Sequence, residues 1–291
     1  MHAFGRPIQM IIGGRSIGGR ILRLYLPLAL FIVGMLFPFY WMLITSIKPN
    51  RELYNAKIMP LIVYQPTLKH YVDLLYETNF LLWTYNTMLV AIVTTAISLV
   101  IGTMMAYPLA RMRFPGTAVV AIGVAATYLV PQPLLFIPMA DIINRLELGN
   151  TLTAVMLTYP TLLIPFSAWL LMGYFRSVPR ELEESARIDG ASRFQAMTRI
   201  ILPLCTPGLL SAGIFAFTLA QNEFLYALIF LAKSDVRTVP IGTITELIRG
   251  DVFYWGQLMA AALLGSVPVA VIYSFFVEYY VAGLTAGSVK G

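Results

Sequence analysis

The most regular feature of this sequence is a series of long stretches without a charged residue, separated by shorter polar segments. A helix needs about 20 predominantly apolar residues to cross the hydrocarbon core of a bilayer. Each stretch meets that length, so the pattern predicts an all-α, polytopic membrane protein with six transmembrane helices. The six stretches are residues 24–47, 78–110, 114–140, 148–175, 200–222 and 252–277.

Composition supports this prediction and excludes several kinds of chemistry. Hydrophobic residues make up 58% of the 291 residues and charged residues 12%, whereas a soluble domain carries about 25% charged residues. The one cysteine, Cys205, cannot form an intrachain disulfide, and the two histidines are His2 and His70. A histidine–cysteine metal centre therefore cannot be built. We expect no metal site and no enzyme activity on this chain.

The distribution of charge predicts the orientation of the chain. If the N-terminus is cytoplasmic, the inner segments carry 12 of the 20 lysine and arginine residues and four acidic residues, whereas the outer segments carry equal numbers of both. Basic residues concentrate on the cytoplasmic side of membrane proteins. We therefore expect both termini in the cytoplasm and no nucleic-acid partner. Residues 1–20 have no apolar core of the kind a cleaved signal peptide needs, so we expect the first span to direct insertion.

The polar segments predict two further elements. Outside the membrane after the first span, a short helix is expected to have one apolar side, made by Leu68, Tyr71, Val72, Leu74 and Leu75. Prolines inside the spans, Pro131 among them, predict kinks, since proline removes a backbone donor.

The polar segment of about residues 177–203 predicts a helix, a glycine turn and a second helix. Ser177 is expected to cap the first helix, and Gly190 to end it in the left-handed conformation. Ser192 and Gln195 match a capping box for the second helix. Such an element is compact, and we expect it to present Glu184, Arg187 and Asp189 outward.

The same segment carries a recognisable motif. Glu184-Ser185-Ala186, three residues, Gly190, nine residues and then Ile200-Ile201-Leu202-Pro203 resemble the signature loop of the membrane subunits of binding-protein-dependent ABC importers. Ser185 stands where that family more often has alanine. The resemblance implies a type I ABC importer fold with a short cytoplasmic coupling helix between spans four and five. It also implies that a separate ATPase is contacted by Glu184, Ser185, Ala186, Arg187, Asp189 and Gly190.

Two other segments resemble the carbohydrate-uptake branch of that family. Asn222-Glu223-Phe224 followed by Ala227-Leu228 is similar to its fifth-span pattern, although Gln221 replaces a common tryptophan. The ending from Gly283 to Gly291 is similar to that of the smaller membrane subunit of the maltose importer, and it implies that Thr285, Gly287 and Lys290 contact the ATPase.

The resemblance also implies the setting in which the chain works. We expect a bacterial cytoplasmic (inner) membrane, a second permease subunit forming a heterodimer, a cytoplasmic ATPase dimer, an extracytoplasmic solute-binding protein and a sugar substrate. ATP and Mg would bind the ATPase, so this chain would carry no cofactor. The implied division is residues 1–23 as a cytoplasmic lead, 24–282 as the six-span permease domain and 283–291 as a cytoplasmic tail.

The spans contain polar residues suited to a substrate pathway or a gate. We select Gln132, Tyr159, Asn222 and Glu223 as candidates, because an ionisable residue within a span is a functional-site hypothesis. Tyr128, Thr161, Ser167 and Trp169 have similar character, with helix packing as the alternative role.

Other functions remain open from the sequence. The substrate of an ABC importer can be a non-sugar solute such as a glycerol phosphodiester or a polyol. An ion-coupled secondary transporter would be expected to carry acids near mid-bilayer and an internal repeat, and a membrane-embedded enzyme would need a catalytic cluster.

Overall fold

The structure is a computed structural model that describes the backbone of residues 21–286 and the side chains of residues 23–277. This part of the chain is almost entirely helical, with one small antiparallel hairpin. It divides into two compact units. One contains the residues up to 72 together with 254–263, and the other contains residues 73–253 and those from 264 onward.

The elements are named here in chain order. The helices are α1 (Leu26–Ile47), α2 (Asn50–Leu53), α3 (Lys69–Glu77), α4 (Phe80–Arg111), α5 (Thr117–Thr127), α6 (Gln132–Arg145), α7 (Leu152–Thr158), α8 (Pro160–Ser177), α9 (Arg180–Ile188), α10 (Arg193–Ala196), α11 (Leu202–Leu204), α12 (Thr206–Asn222), α13 (Leu225–Phe230), α14 (Val239–Leu247) and α15 (Trp255–Ala286). The strands are β1 (Ile248–Arg249) and β2 (Val252–Phe253). Shorter turns are π-helical at Ile21–Tyr25 and Met197–Ile201 and 3₁₀-helical at Ser234–Val236.

The helices described here provide four candidate membrane spans, and six if each of two bent helix pairs is one span. Four segments, Arg23–Ile47, Phe80–Arg111, Leu152–Ser177 and Trp255–Val277, are each long and apolar enough to cross a membrane. The helices α5 and α6 meet this test only as a pair bent by 92°, and the segments before and after Cys205 only as a pair bent by 79°. Counting each bent pair as one span gives six spans, the number that the sequence predicts.

The packed side of α4 shows how these helices associate. Membrane helices gain little from burying apolar surface against each other, so small residues that permit close approach line their interfaces. At Gly102 an added Cβ would lie 3.1 Å from the Cβ of Ser167 on α8. Several large residues of α4, such as Tyr85, Val100 and Met104, are exposed on the opposite side. The middle of the buried side is made mostly by small residues, Ala91, Thr94, Ser98, Gly102, Thr103 and Ala106, whereas large residues such as Trp83 and Tyr107 are buried nearer its ends.

The predicted surface helix exists as α3, and its predicted apolar side is only partly right: Leu74 is buried and Tyr71 and Leu75 are half-buried. Leu68 and Val72 are exposed, by 67% and 51%. His70 is buried instead, because its ring nitrogen Nε2 lies 2.7 Å from the carbonyl oxygen of Lys48 and forms a hydrogen bond with it. A polar side chain with a hydrogen-bond partner can be buried where a simple apolar count would place it at the surface.

The segment 234–242 is fastened to the Phe80 end of α4. The indole Nε1 of Trp83 donates to the carbonyl oxygen of Ser234 at 2.8 Å. The amide of Asn86 donates to the carbonyls of Asp235 and Arg237 at 3.0 and 2.9 Å. These bonds satisfy backbone oxygens in the short 3₁₀ turn and directly after it, before α14 begins. This segment is therefore positioned by α4.

The contact between Gly242 and Trp83 provides a test of this attachment. A Cβ at Gly242 would overlap the indole ring, and Trp83 is fully buried and has no room to move. We expect Gly242→Ala to destabilise the purified protein by about 1–3 kcal/mol through overpacking. Thermal unfolding in detergent measures this. Gly123→Ala, which has open space around it, is the matched control, and equal midpoints for the two variants would contradict the prediction.

Candidate functional site

The helix α9 and the turn after it have a well-defined end. Gly190 has φ +91°, a conformation that glycine adopts at little cost. The N–H of Ala191 donates to the carbonyl of Ala186 at 2.9 Å, and that of Gly190 to Arg187 at 3.2 Å. This pair of bonds is the Schellman termination, so the predicted glycine turn is confirmed.

The predicted capping box is also confirmed. The backbone N–H of Ser192 donates to Oε1 of Gln195 at 2.8 Å, and the N–H of Gln195 donates to Oγ of Ser192 at 3.2 Å. These bonds satisfy N–H groups at the start of α10, where the helix itself offers no acceptor. The helix then continues through the π-helical turn to α11 and the bend at Cys205.

The predicted role of Ser177 is wrong. Its Oγ donates to the carbonyl of Tyr174 at 2.8 Å, within α8, and α9 begins after Pro179 without a side-chain cap. The hydroxyl is engaged by the preceding helix because Ser177 is the last residue of α8.

The exposed surface of this element combines charge with apolar side chains. Glu184, Arg187 and Asp189 are exposed, as expected, and so are Ser185 and Gly190, whereas Ala186 is half-buried. Ile188 and Phe194 are also exposed, by 86% and 67%. Large apolar residues grouped with charged ones at a projecting turn are typical of a protein-binding surface.

A buried arginine fixes α9 to the end of α4. The side chain of Arg111 is 2% exposed, and its Nε lies 2.8 Å from Oε2 of Glu183 on α9. Its Nη1 donates to the carbonyls of Phe175 and Val178 at 3.2 and 2.7 Å, and its Nη2 to that of Pro179 at 3.3 Å. One guanidinium therefore holds the end of α8, the start of α9 and the acid that faces it.

Glu183 has a second donor from α4. The hydroxyl of Tyr107 donates to Oε1 of Glu183 at 2.6 Å. Burial raises the pKa of the Glu183 carboxyl, but the hydrogen bonds from Tyr107 and Arg111 and the charges of Arg111 and Arg187 outweigh that effect and hold the pKa below its usual value. The carboxylate is therefore ionised at neutral pH. We refer to Tyr107, Arg111 and Glu183 as the α4–α9 clamp.

A cavity of about 520 Å³ lies elsewhere in the same unit. The four residues selected as pathway candidates, Gln132, Tyr159, Asn222 and Glu223, all line it. They come from the bend between α5 and α6, from the junction of α7 and α8, where the span continues without a bend, and from the end of α12. Tyr128 and Thr161 also line the cavity.

Glu223 satisfies the backbone at the start of α13. Its Oε1 accepts the N–H of Tyr226 at 2.9 Å and its Oε2 that of Ala227 at 3.2 Å. The backbone of Glu223 is extended, which ends α12 one residue before it. The carboxylate thus occupies the position of a helix cap inside a membrane protein, where unpaired N–H groups are costly.

The remaining candidates lie apart from these two places or outside the described residues. Ser167 is buried where α8 meets Gly102 of α4, and Trp169 is exposed beside the ring of Phe166. Thr285 lies in the last turn of α15, and its side chain is not described. Gly287 and Lys290 lie outside the described residues.

The clamp and the cap were not found from the sequence. Arg111 ends the second uncharged stretch, so it is interpreted only as a positive charge at a span end. Glu183 is interpreted only as an acid near a helix N-terminus. The position of Glu183 directly before the motif at Glu184 could have marked it as a functional residue. Its partner Arg111, however, lies 72 residues away and is identified only by the tertiary structure.

These features are those of a polytopic membrane transport subunit with a rigid polar helix between two of its spans. A family model described as "Binding-protein-dependent transport system inner membrane component" matches residues 98–285. The chain belongs to that family.

Individual relatives agree over most of the length. The sulfoquinovosyl glycerol transport system permease protein of Agrobacterium fabrum is 37% identical over 274 residues, covering 94% of this chain and 95% of the relative. The trehalose/maltose transport system permease protein of Thermococcus litoralis is 35% identical over 259 residues, covering 88% and 92%.

A solved structure shares the fold. The crystal structure of a bacterial ABC transporter involved in the import of the acidic polysaccharide alginate contains a chain that matches with a TM-score of 0.76 at 21% identity. The match covers 92% of this chain and 99% of that chain. The fold is therefore that of an ABC importer permease.

Proposed function

We propose that this chain is one transmembrane subunit of an ATP-driven sugar importer, and that it couples half of the translocation pathway to a separate cytoplasmic ATPase through α9. The named relatives serve transport systems for trehalose, maltose and sulfoquinovosyl glycerol. Relatives of this kind support a saccharide or a saccharide derivative as the cargo. The chain itself is a permease, and ATP and Mg bind the partner ATPase.

The observation that carries the proposal is the build of α9 and its turn. Glu184, Arg187, Asp189 and Ile188 project from a short element. The base of this element is held by the buried clamp and by a Schellman turn. A docking helix transmits movement only if its base is rigid, and this one has both a free surface and a fixed base.

The proposed assembly places α9 on the cytoplasmic side. The arginines near the end of α4 and in the loop before α12 support this orientation, as basic residues concentrate there. The opposite side would carry segment 234–253 and meet the solute-binding protein. A second permease would form a heterodimer with this chain, and both termini would be cytoplasmic.

The proposed mechanism is alternating access. Closure of the ATPase dimer on ATP would carry α9 with it, and the clamp would pass that displacement to α4. A nucleotide can shift the equilibrium between two states only by its differential affinity for them. The coupling therefore depends on contacts that differ between the two states, and α9 is the surface at which such contacts reach this chain.

Capture of the ATPase tests the proposal. We expect Glu184→Lys and Gly190→Trp each to reduce co-purification of the ATPase at least about tenfold, which corresponds to a loss of about 1.4 kcal/mol. The first change reverses an exposed charge, and the second strains a residue with φ +91°. The measurement is the amount of ATPase bound per amount of this chain in detergent extracts.

Matched controls separate docking from folding. Gly116→Trp introduces the same side chain at another glycine with positive φ and open space, in the turn after α4. Asp251→Lys reverses an exposed charge in the β1–β2 hairpin. Both should capture the ATPase normally. If Glu184→Lys and Gly190→Trp also captured it normally while remaining inserted and folded, docking through α9 would be wrong.

A further inference from the structure

The 520 Å³ cavity lies where two spans lose regular helical structure and a third carries a proline, Pro160, beside Tyr159. The backbone between α5 and α6 turns by 92° around residues 128–131, α8 starts at Pro160, and α12 ends at an extended Glu223. Within a membrane, irregular backbone is tolerated only where it is buried in protein or lines an aqueous cavity. The volume falls in the range of about 300–1,000 Å³ typical of small-ligand sites.

The cavity wall offers hydrogen-bonding groups that the protein itself does not use. The hydroxyl of Tyr159 is buried, interacts with the Glu223 carboxylate and makes no hydrogen bond of good geometry. Tyr159 as a whole is only 1% exposed. A poorly formed hydrogen bond recovers only part of the cost of burying a hydroxyl, which is about 1–3 kcal/mol when no partner is present, so a ligand hydroxyl that bonds better to Tyr159 would be stabilised at this position.

Other lining groups can both donate and accept. The side-chain amide of Gln132, at the start of α6, makes no hydrogen bond to the residues that the structure describes. The amide nitrogen of Asn222 donates to the carbonyl of Thr218, which leaves its oxygen available. Thr127 and Thr161 donate to backbone carbonyls and keep oxygen lone pairs free. Paired donors and acceptors suit hydroxyl groups, which act as both.

The rest of the wall is apolar and includes an aromatic face. The ring of Tyr128 lies 5.7 Å from that of Phe166, which stacks on Phe215 at 3.9 Å. A supported ring of this kind offers a flat apolar surface next to the polar groups. The C–H face of a sugar ring is the complementary shape, since its hydroxyls project from the rim.

The charge of the wall narrows the class of ligand. No described residue that lines the cavity is lysine or arginine, and Glu223 is the charged residue among them. Its two oxygens are already engaged by the N–H groups of Tyr226 and Ala227. An anion would meet like charge in a medium of low dielectric constant, without an opposing charge from this chain. The matched alginate importer handles an acidic polysaccharide with the same fold, so the fold alone does not set this preference.

We propose that this chain itself holds a subsite for one neutral, hydroxyl-rich sugar ring, formed by Gln132, Tyr159, Asn222 and the ring of Tyr128. The inference rests on the proposed function, because it identifies where that importer's cargo contacts this subunit. It predicts that acidic saccharides and phosphodiesters are not accommodated at this subsite.

The test measures occupation of the cavity directly in the complete transporter. Gln132→Cys and Thr127→Cys place a thiol in the cavity wall, whereas the native Cys205 is buried elsewhere. Ile137→Cys, at a position that is 82% exposed and outside the cavity wall, is the matched control. A maleimide dye then labels each variant in the presence of trehalose, maltose, alginate oligosaccharides or glycerophosphodiesters.

We expect the neutral sugar that the transporter imports to protect both cavity thiols and leave Ile137→Cys unaffected. At ten times the dissociation constant about one site in eleven is free, so labelling should slow about tenfold. Tyr159→Phe should raise the concentration of sugar needed for half-protection about fivefold, as expected for the loss of one hydrogen bond of about 1 kcal/mol.

ATP-dependent uptake into proteoliposomes, measured with the same solutes, keeps the two proposals distinguishable. ATP-dependent uptake of a neutral sugar without protection of either thiol would overturn the subsite and leave the proposed function standing. Protection by an anionic solute would overturn the assigned class. Absence of ATP-dependent uptake for every solute in the panel would overturn the proposed function and the subsite with it.

Discussion

Replacing Arg111 with glutamine is expected to lower sugar uptake by the complete transporter at least about tenfold, while the ATPase remains bound. The change removes the charge that faces Glu183 and the donors to Phe175, Val178 and Pro179. Breaking a buried ion pair by removing one partner costs about 3–5 kcal/mol. The exposed residues proposed to dock the ATPase are not altered, so the loss should appear in transport per ATP hydrolysed.

The matched control is the next basic residue of the same turn. Arg113 is exposed, and Arg113→Gln should leave uptake within about twofold of the wild type. Glu183→Gln, which removes the same pair from the other side, should reproduce the Arg111 defect. Uptake by Arg111→Gln equal to that of Arg113→Gln would show that the clamp does not transmit movement.

The physical reason for this expectation is the geometry of α4. Its 32 residues correspond to a rod of about 48 Å, at 1.5 Å per residue. One end is fastened to α9 by the clamp, and the other end to segment 234–239 by Trp83, Asn86 and Thr87. A helix attached at both ends is displaced as a body. We therefore expect movement of α9 to reach segment 234–239 through α4.

Replacing Glu223 with leucine is expected to lower the thermal midpoint of the purified complex by at least about 5 °C. The carboxylate accepts the N–H groups of Tyr226 and Ala227, and leucine would leave both unpaired. A buried unpaired N–H costs about 1–3 kcal/mol, and the cost is larger in a membrane because water is absent. Thermal unfolding in detergent is the measurement.

Two variants make this expectation specific. Glu223→Gln keeps one acceptor oxygen and should fall between the wild type and Glu223→Leu. Asn222→Leu changes the exposed neighbouring residue, whose amide makes one hydrogen bond to Thr218, and should have a small effect. A midpoint for Glu223→Leu as high as that for Asn222→Leu would mean that the cap contributes nothing to stability.

Local features of the loop could be predicted because they depend on neighbouring residues. Gly190 ends α9 with a positive φ, and Ser192 and Gln195 form the predicted capping box. The cap predicted for Ser177 was wrong because α8 extends to that residue and takes its hydroxyl. A side chain at a junction has acceptors on both sides, and the sequence does not state which helix reaches it first.

The distribution of apolar residues explains why the packing could not be predicted. In a soluble helix the apolar face marks the core, but a helix in lipid is apolar on every side. Thus α4 exposes Val100 and Met104 and buries Thr94 and Ser98. The choice of partners for Arg111 and Trp83 follows from that packing, and so could not be obtained from periodicity.

The sequence by itself predicted six spans, the polar helix with its glycine end, and a residue motif typical of importer permeases. Each of these depends on composition or on residues close together in the chain. Tertiary structure alone decided that Arg111 holds Glu183 and that Gln132, Tyr159 and Asn222 line one cavity. These residues lie up to 90 positions apart in the chain, and they come close only when separate helices pack together.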